Sequence, residues 1–211
     1  MAPRPAGLPP VHAVAAYEGP VREAVVAFKD HQRWSLRTVL GGALARSVAG
    51  TWLAAHPLGS GDGDGHDVVV LVPVPGSPGS SHDRDGDHVR ELALAAARVL
   101  RRHGLDVRVV HALAPVRRRR DQVGLGRSDR ARNLDGSMAP TTAGLRLGAV
   151  RGATIVLVDD VVTSGATLAE AARASASIGL RPAGAAVVAA TAMRHPGVTT
   201  ASGAREVTGR G

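Results

Sequence analysis

The chain lacks cysteine, so it contains no disulfide bond and no thiolate ligand for a metal. Aromatic residues make up only 2 % of it, which leaves a core built from Ala, Val and Leu. No apolar run approaches the roughly 20 residues of a membrane-spanning helix. Residues 1–10 are rich in proline and lack the apolar segment of a signal peptide. These absences lead us to expect a cytoplasmic protein that has no membrane partner.

Lysine is nearly absent as well. Lys29 is the only lysine among 26 basic residues, which outnumber the 18 acidic ones and give a formal net charge of +8. A positive field favours anionic ligands, but it does not separate a phosphorylated sugar from a nucleotide or a nucleic acid. A length of 211 residues is enough for one domain with a sizeable core.

Residues 155–167 carry the main functional signal. Their apolar run, which does not alternate with polar residues, predicts a strand over 154–159 that is buried on both faces. Asp159 and Asp160 follow, and two adjacent carboxylates are costly to bury unless cations or hydroxyl groups meet them. A turn of small residues comes next, where backbone N–H groups, a glycine and three hydroxyls suit a phosphate. The turn consists of Thr163, Ser164, Gly165, Ala166 and Thr167.

This pattern resembles the phosphoribosyl pyrophosphate (PRPP) motif of type I phosphoribosyltransferases. The resemblance implies an α/β fold, in which helices flank a Rossmann-like central parallel sheet and a small N-terminal hood closes over the site. It implies that Asp159 and Asp160 hold the ribose hydroxyls, directly or through Mg²⁺, and that residues 163–167 bind the 5′-phosphate. On the pyrophosphate side it implies Val74, Pro75 and Arg84. The alternative is an ordinary strand, turn and capped helix, but a cap needs one hydroxyl and neither acid.

Other stretches resemble the ComF family in particular. They are residues 17–22, Phe28-Lys29, residues 72–75, and Gln122, Leu125, Arg130, Asn133, Gly136 and Met138. The chain departs from that family in two places. Residues 84–88 read Arg-Asp-Gly-Asp-His where relatives commonly carry Arg-Gly-Phe-Asn-Gln, and the N-terminal zinc-binding cysteines are missing.

The resemblance leaves three functions open. The first is a Mg²⁺-dependent phosphoribosyltransferase, in which a nucleophile displaces pyrophosphate from the anomeric carbon of PRPP. The second is a ComF-type protein that acts in DNA uptake without catalysis, through single-stranded DNA or a helicase partner. The third is a non-catalytic PRPP sensor. No residue identifies the acceptor, and a homodimer is a further expectation.

The rest of the chain predicts one phosphoribosyltransferase-like domain over 11–194, between a disordered leader (1–10) and a flexible tail (195–211). Strands are expected at 11–16, 68–74, 107–113 and 183–190, and helices at 21–29, 36–55, 88–103 and 167–179. The hood would span about 11–55. Residues 117–120, four arginines, read either as an anion-binding run or as a solvated loop. We favour the loop, because alternate residues of an extended segment point in opposite directions. The acids and histidines at 82–88 match no metal-binding spacing.

Overall fold

The computed structural model describes residues 5–57, 68–76, 88–116, 136–148, 152–191 and 198–200, the last of these by backbone alone. Several of the predictions above lie outside the described residues. They concern Arg84, the arginines at 117–120, the family positions at 122–133, residues 1–4 of the leader and most of the tail.

A six-stranded sheet, parallel throughout, forms the centre of the molecule. Two further short strands, β4 and β5, form a separate antiparallel pair. In chain order the strands are β1 (Val11–Ala16), β2 (Val69–Pro73), β3 (Val107–Val109), β4 (Leu113–Pro115), β5 (Met138–Pro140), β6 (Thr154–Val162), β7 (Gly184–Ala190) and β8 (Val198–Thr200). The large sheet has the order β3-β2-β6-β7-β1-β8.

Helices cover both faces of the sheet. They are α1 (Gly19–Lys29), α2 (Arg37–Ala55), α3 (His88–Arg102), α4 (Thr142–Gly148) and α5 (Ala166–Ala176), with a short 3-10 turn at Trp34–Leu36. One face packs against α1, α2 and α3, and the other packs against α4 and α5. The predicted α/β fold, with a parallel sheet between helices, is confirmed.

The core consists almost entirely of small and medium aliphatic side chains, as the composition predicts. Both β2 and β7 are buried along their whole length, which explains why their sequences do not alternate. Helices α2 and α3 approach closely at Gly41, where a Cβ atom would collide with the Cβ of Ala95. Small residues therefore allow these helices to pack closely, so the core is filled without aromatic side chains.

The N-terminal region differs from the prediction of a hood over 11–55. Strand β1 lies inside the central sheet, beside β7, and α2 packs on the sheet face. Of this region, only α1 and the residues at its two ends border the cleft described below. The local pattern could not show this, because β1 pairs with a strand that is distant in the sequence.

Parts of both predicted terminal segments belong to the described fold. The leader prediction is wrong for residues 5–10: Leu8 is buried in the core, and the Ala185 N–H donates a hydrogen bond to the Pro10 carbonyl oxygen. The tail prediction is wrong for β8, which pairs with β1. The predicted strand over 107–113 divides, because the chain leaves the sheet after Val109 and starts β4 at Leu113. No helix in the described part of the chain has the length and apolar character needed to cross a membrane.

Candidate functional site

The carboxyl ends of β2 and β6 lie side by side and open into one cleft. Pro73 pairs with Val158, and the Val74 N–H donates to the Val158 carbonyl oxygen at 2.9 Å. The cleft has a volume of about 360 Å³. Its lining includes six residues predicted from the sequence, namely Val74, Pro75, Asp159, Asp160, Thr163 and Thr167. The carboxyl edge of a parallel sheet is where ligands bind in open α/β folds.

Strand β6 does not end at the two acids but continues to Val162. Successive side chains of a strand point to opposite faces, so the two carboxylates leave β6 in different directions. Asp160 points towards α1 and α3, where its Oδ2 lies 3.2 Å from Lys29 Nζ and 3.1 Å from His88 Nε2. By alternation, Asp159 lies on the side of Leu157, which packs with α5.

Asp160 is a buried carboxylate surrounded by donors. Its Oδ1 accepts a hydrogen bond from the Val161 N–H at 2.7 Å, while Oδ2 meets Lys29 and His88. Burial alone would raise the pKa of Asp160, but the His88 hydrogen bond and the Lys29 charge outweigh burial and lower that pKa below its usual range. In return, the Asp160 charge raises the pKa of Lys29, although burial alone would lower it. The ionised pair is thus part of the apo fold.

Asp159 lies in the opposite situation. It is half-buried, and its Oδ1 accepts a hydrogen bond from the Asp160 N–H at 2.8 Å. Burial, together with the negative charge of Asp160, raises the pKa of Asp159 well above its usual range. A cation or a hydroxyl donor that approached Asp159 would offset both effects.

The predicted phosphate turn leads directly into α5. Gly165 adopts a left-handed conformation, with φ of 78°, immediately before the first residue of the helix. Thr163 and Thr167 line the cleft, and the Ala166 N–H donates to Ser164 Oγ at 3.3 Å. A Cβ atom on Gly165 would lie 2.8 Å from a methyl carbon of Leu8, so the N-terminal segment packs behind the turn. The turn presents hydroxyls and helix N–H groups, which are the donors that a phosphate prefers.

A family model described as the phosphoribosyl transferase domain matches residues 94–199. The chain belongs to this family. The match includes β6, both acids and the whole phosphate turn, and it ends within β8. No curated protein matches the chain. The type I phosphoribosyltransferase fold expected from residues 155–167 is thereby shown, and a role in phosphoribosyl chemistry follows at the level of the family.

The two cleft residues that contact the Asp160 carboxylate from other elements, Lys29 and His88, were missed as site residues. Lys29 had appeared as part of the ComF resemblance, and His88 among the acids and histidines at 82–88 and as the first residue of the helix predicted over 88–103. Tertiary packing brings both side chains into contact with Asp160, and no spacing in the sequence predicts these contacts. One signal was present: Lys29 is the only lysine in a chain that otherwise uses arginine.

A metal would have to rely on few protein ligands. In the part of the chain that the structure describes, no group of three or more His, Asp or Glu side chains could hold one. Mg²⁺ commonly takes one or two carboxylates, with substrate oxygens and water completing its shell. Asp159 fits such a site, since its carboxylate borders the cleft and lies beside the negative charge of Asp160, which a cation would offset. Asp160 fits less well, because Lys29 and His88 already contact its Oδ2.

A second buried acid, Glu170, lies outside this cleft. It accepts hydrogen bonds from the Met138 N–H at 3.0 Å and from Arg173, and so joins β5 to α5. A larger cleft of about 630 Å³ runs between residues 5–9 and α5. Small apolar residues dominate its lining, and of the predicted site residues within the described chain only Ala166 borders it. The chemistry of the phosphoribosyl motif therefore belongs to the smaller cleft.

Proposed function

We propose that this protein binds PRPP, or a closely related ribose 5-phosphate ligand, in the cleft at the ends of β2 and β6. One observation carries the proposal. In a chain of the phosphoribosyl transferase domain family, the two acids and Thr163 and Thr167 of the phosphate turn border the same cleft as the end of β2.

In this proposal each part of the cleft holds one part of the ligand. Asp159 and Asp160 hold the ribose hydroxyls, and the turn formed by Thr163, Ser164, Gly165, Ala166 and Thr167 binds the 5′-phosphate. Val74 and Pro75 lie beside the pyrophosphate, and Arg84 supplies a cation for it. Helix α1 serves as the hood over the cleft.

The proposed reaction is transfer of the phosphoribosyl group. A lone pair of the acceptor forms a bond to the anomeric carbon, while the bond from that carbon to the pyrophosphate oxygen breaks and pyrophosphate leaves with the electron pair. The protein contributes position and charge: the turn fixes the phosphate end, and the Asp159 carboxylate stabilises positive charge that develops on the sugar ring. Mg²⁺, when bound, would neutralise charge on the pyrophosphate, with Asp159 as its main protein ligand and Asp160 behind it.

Calorimetry tests the binding proposal. PRPP titrated with Mg²⁺ into the wild type should bind, and the double variant Asp159→Asn/Asp160→Asn should show no binding. The control is Asp106→Asn, which removes an exposed carboxylate outside the cleft lining. Unchanged PRPP affinity in the double variant would overturn the assignment. A panel of bases and amines, assayed for pyrophosphate release, then separates an enzyme from a PRPP sensor.

We also propose that the protein is of the ComF type, since Tyr17 and Lys29, two positions of that resemblance, border the cleft. The alternative function is then DNA uptake without catalysis, through single-stranded DNA or a helicase partner, and the net charge of +8 suits it as well as it suits PRPP. Oligonucleotide binding measured at several salt concentrations distinguishes the two functions, because phosphate contacts make the affinity fall steeply with salt.

A further inference from the structure

The described lining of the cleft has an unbalanced charge for a ligand that carries a pyrophosphate. It contains three carboxylates, those of Asp30, Asp159 and Asp160, and Lys29 is the one lysine or arginine. A ligand with several negative charges needs cations where its phosphates lie. Within the described lining, Lys29 is the one lysine or arginine that can supply a cation, since the other nitrogen-bearing side chain there, His88, contacts Asp160.

Lys29 is held in place but remains accessible. Its Nζ lies 3.2 Å from Asp160 Oδ2, and 39 % of its side chain is exposed. An ammonium group carries three donors, and the exposed side of Lys29 can approach a ligand oxygen while its contact with Asp160 is kept. His88 contacts the same carboxylate oxygen, so Asp160 joins the end of α1 to the start of α3.

The position of Lys29 indicates which end of the ligand it would meet. It approaches Asp160 from the α1 and α3 side of β6, whereas the phosphate turn leads to α5 on the opposite side. Val74, Pro75 and Gly76, the end of β2, border the same cleft as Lys29. This arrangement places the ammonium group on the pyrophosphate side and away from the 5′-phosphate.

We propose that Lys29 binds a pyrophosphate oxygen of the ligand, and that Asp160 is the positioning residue that holds the ammonium group there. The inference rests on the proposed function, because it assumes that PRPP occupies the cleft. Asp160 then holds the Lys29 ammonium group in addition to the ribose hydroxyls, and the single lysine of the chain binds the ligand.

The first test compares two ligands that differ only in the pyrophosphate. Lys29→Met should weaken PRPP binding about tenfold in calorimetry, the order expected for losing one bond to a charged group. Binding of ribose 5-phosphate should change less than about twofold. Lys29→Arg should retain most of the PRPP affinity. Arg22→Met, which removes a cation from the same helix outside the cleft lining, should leave both affinities unchanged.

Equal loss of affinity for both ligands in Lys29→Met would overturn the inference. If the wild type binds neither ligand, the proposed function itself fails. If the wild type binds both and Lys29→Met alters neither affinity, only the role of Lys29 fails. Asp160→Asn should lower the preference for PRPP over ribose 5-phosphate, and it should have little further effect on that preference in a Lys29→Met background. Additive effects would remove the positioning role.

A second test needs no variant, so it does not depend on whether a mutant folds. Reductive methylation with ¹³C-formaldehyde labels the one lysine and the terminal amine, and it keeps the positive charge. PRPP and inorganic pyrophosphate should shift the Lys29 methyl resonance, whereas ribose 5-phosphate should shift it much less. A resonance that responds to ribose 5-phosphate as strongly as to PRPP would contradict the proposal.

Discussion

The electrostatic environment of a carboxylate differs between the two faces of β6. On the face covered by α1 and α3, Asp160 meets Lys29 and His88, and its pKa is lowered. On the face towards α5, burial and the neighbouring Asp160 charge raise the pKa of Asp159. Two identical residues, adjacent in the chain, thus stand in different electrostatic environments. One carboxylate stabilises the apo fold, and the other is positioned to gain from a ligand.

The largest expected effect is on stability. Asp160→Asn should lower the free energy of unfolding of the apo protein by about 2–3 kcal/mol, because it removes a buried acceptor of charged hydrogen bonds. Asp159→Asn should leave that free energy unchanged or raise it by about 0.5 kcal/mol, because it removes repulsion between two close carboxylates. Urea denaturation near pH 7 measures both. Equal losses in the two variants would show that the faces do not differ as described.

A smaller loss of stability is expected at the phosphate turn, whose conformation depends on a left-handed glycine and close packing rather than on ion pairs. Gly165→Ala should cost about 2 kcal/mol, because Gly165 has a φ of 78° and Leu8 fills the space of a Cβ atom. Gly179→Ala is the matched control: its φ is 80°, but nothing lies within 4 Å of a Cβ there, so about 1 kcal/mol is expected. Equal losses in thermal or urea unfolding would show that the contact with Leu8 is unimportant.

The smallest effect is the pH dependence of the free energy of unfolding, and its sign differs between the acids on the two faces of β6. The pKa of Asp160 is lowered by folding, so its stabilisation is complete above the unfolded pKa of about 4 and is lost as pH falls towards the folded pKa. The stability difference between the wild type and Asp160→Asn should therefore narrow by about 1 kcal/mol from pH 5 to pH 3.

Asp159 should show the reverse trend. Because folding raises its pKa, its stabilisation is complete below the unfolded pKa and is lost as pH rises through the raised folded pKa. The wild type should accordingly lose stability relative to Asp159→Asn as pH increases. Urea midpoints for the three proteins at several pH values check both trends, and parallel curves would contradict the comparison.

Much of the fold could be predicted from local patterns. The apolar runs at residues 69–73 and 184–190 are long enough to indicate buried strands, and the periodic stretches became α1, α2, α3 and α5. The short β8 and the packed Leu8 were missed, because each is ordered by a partner distant in the sequence. A short segment has no local signal when its stability comes from pairing with another strand or from packing on the core.

By itself the sequence determined that two acids and a phosphate-sized turn follow one buried strand. The chain order of residues 155–167 places these groups within a few residues of each other. Only the tertiary structure decided what surrounds each acid. His88 lies 72 residues from Asp160 in the chain, and Lys29 lies on a different helix from His88. Their meeting depends on how α1 and α3 pack across β6, and that packing is a sum of many contacts that no single motif encodes.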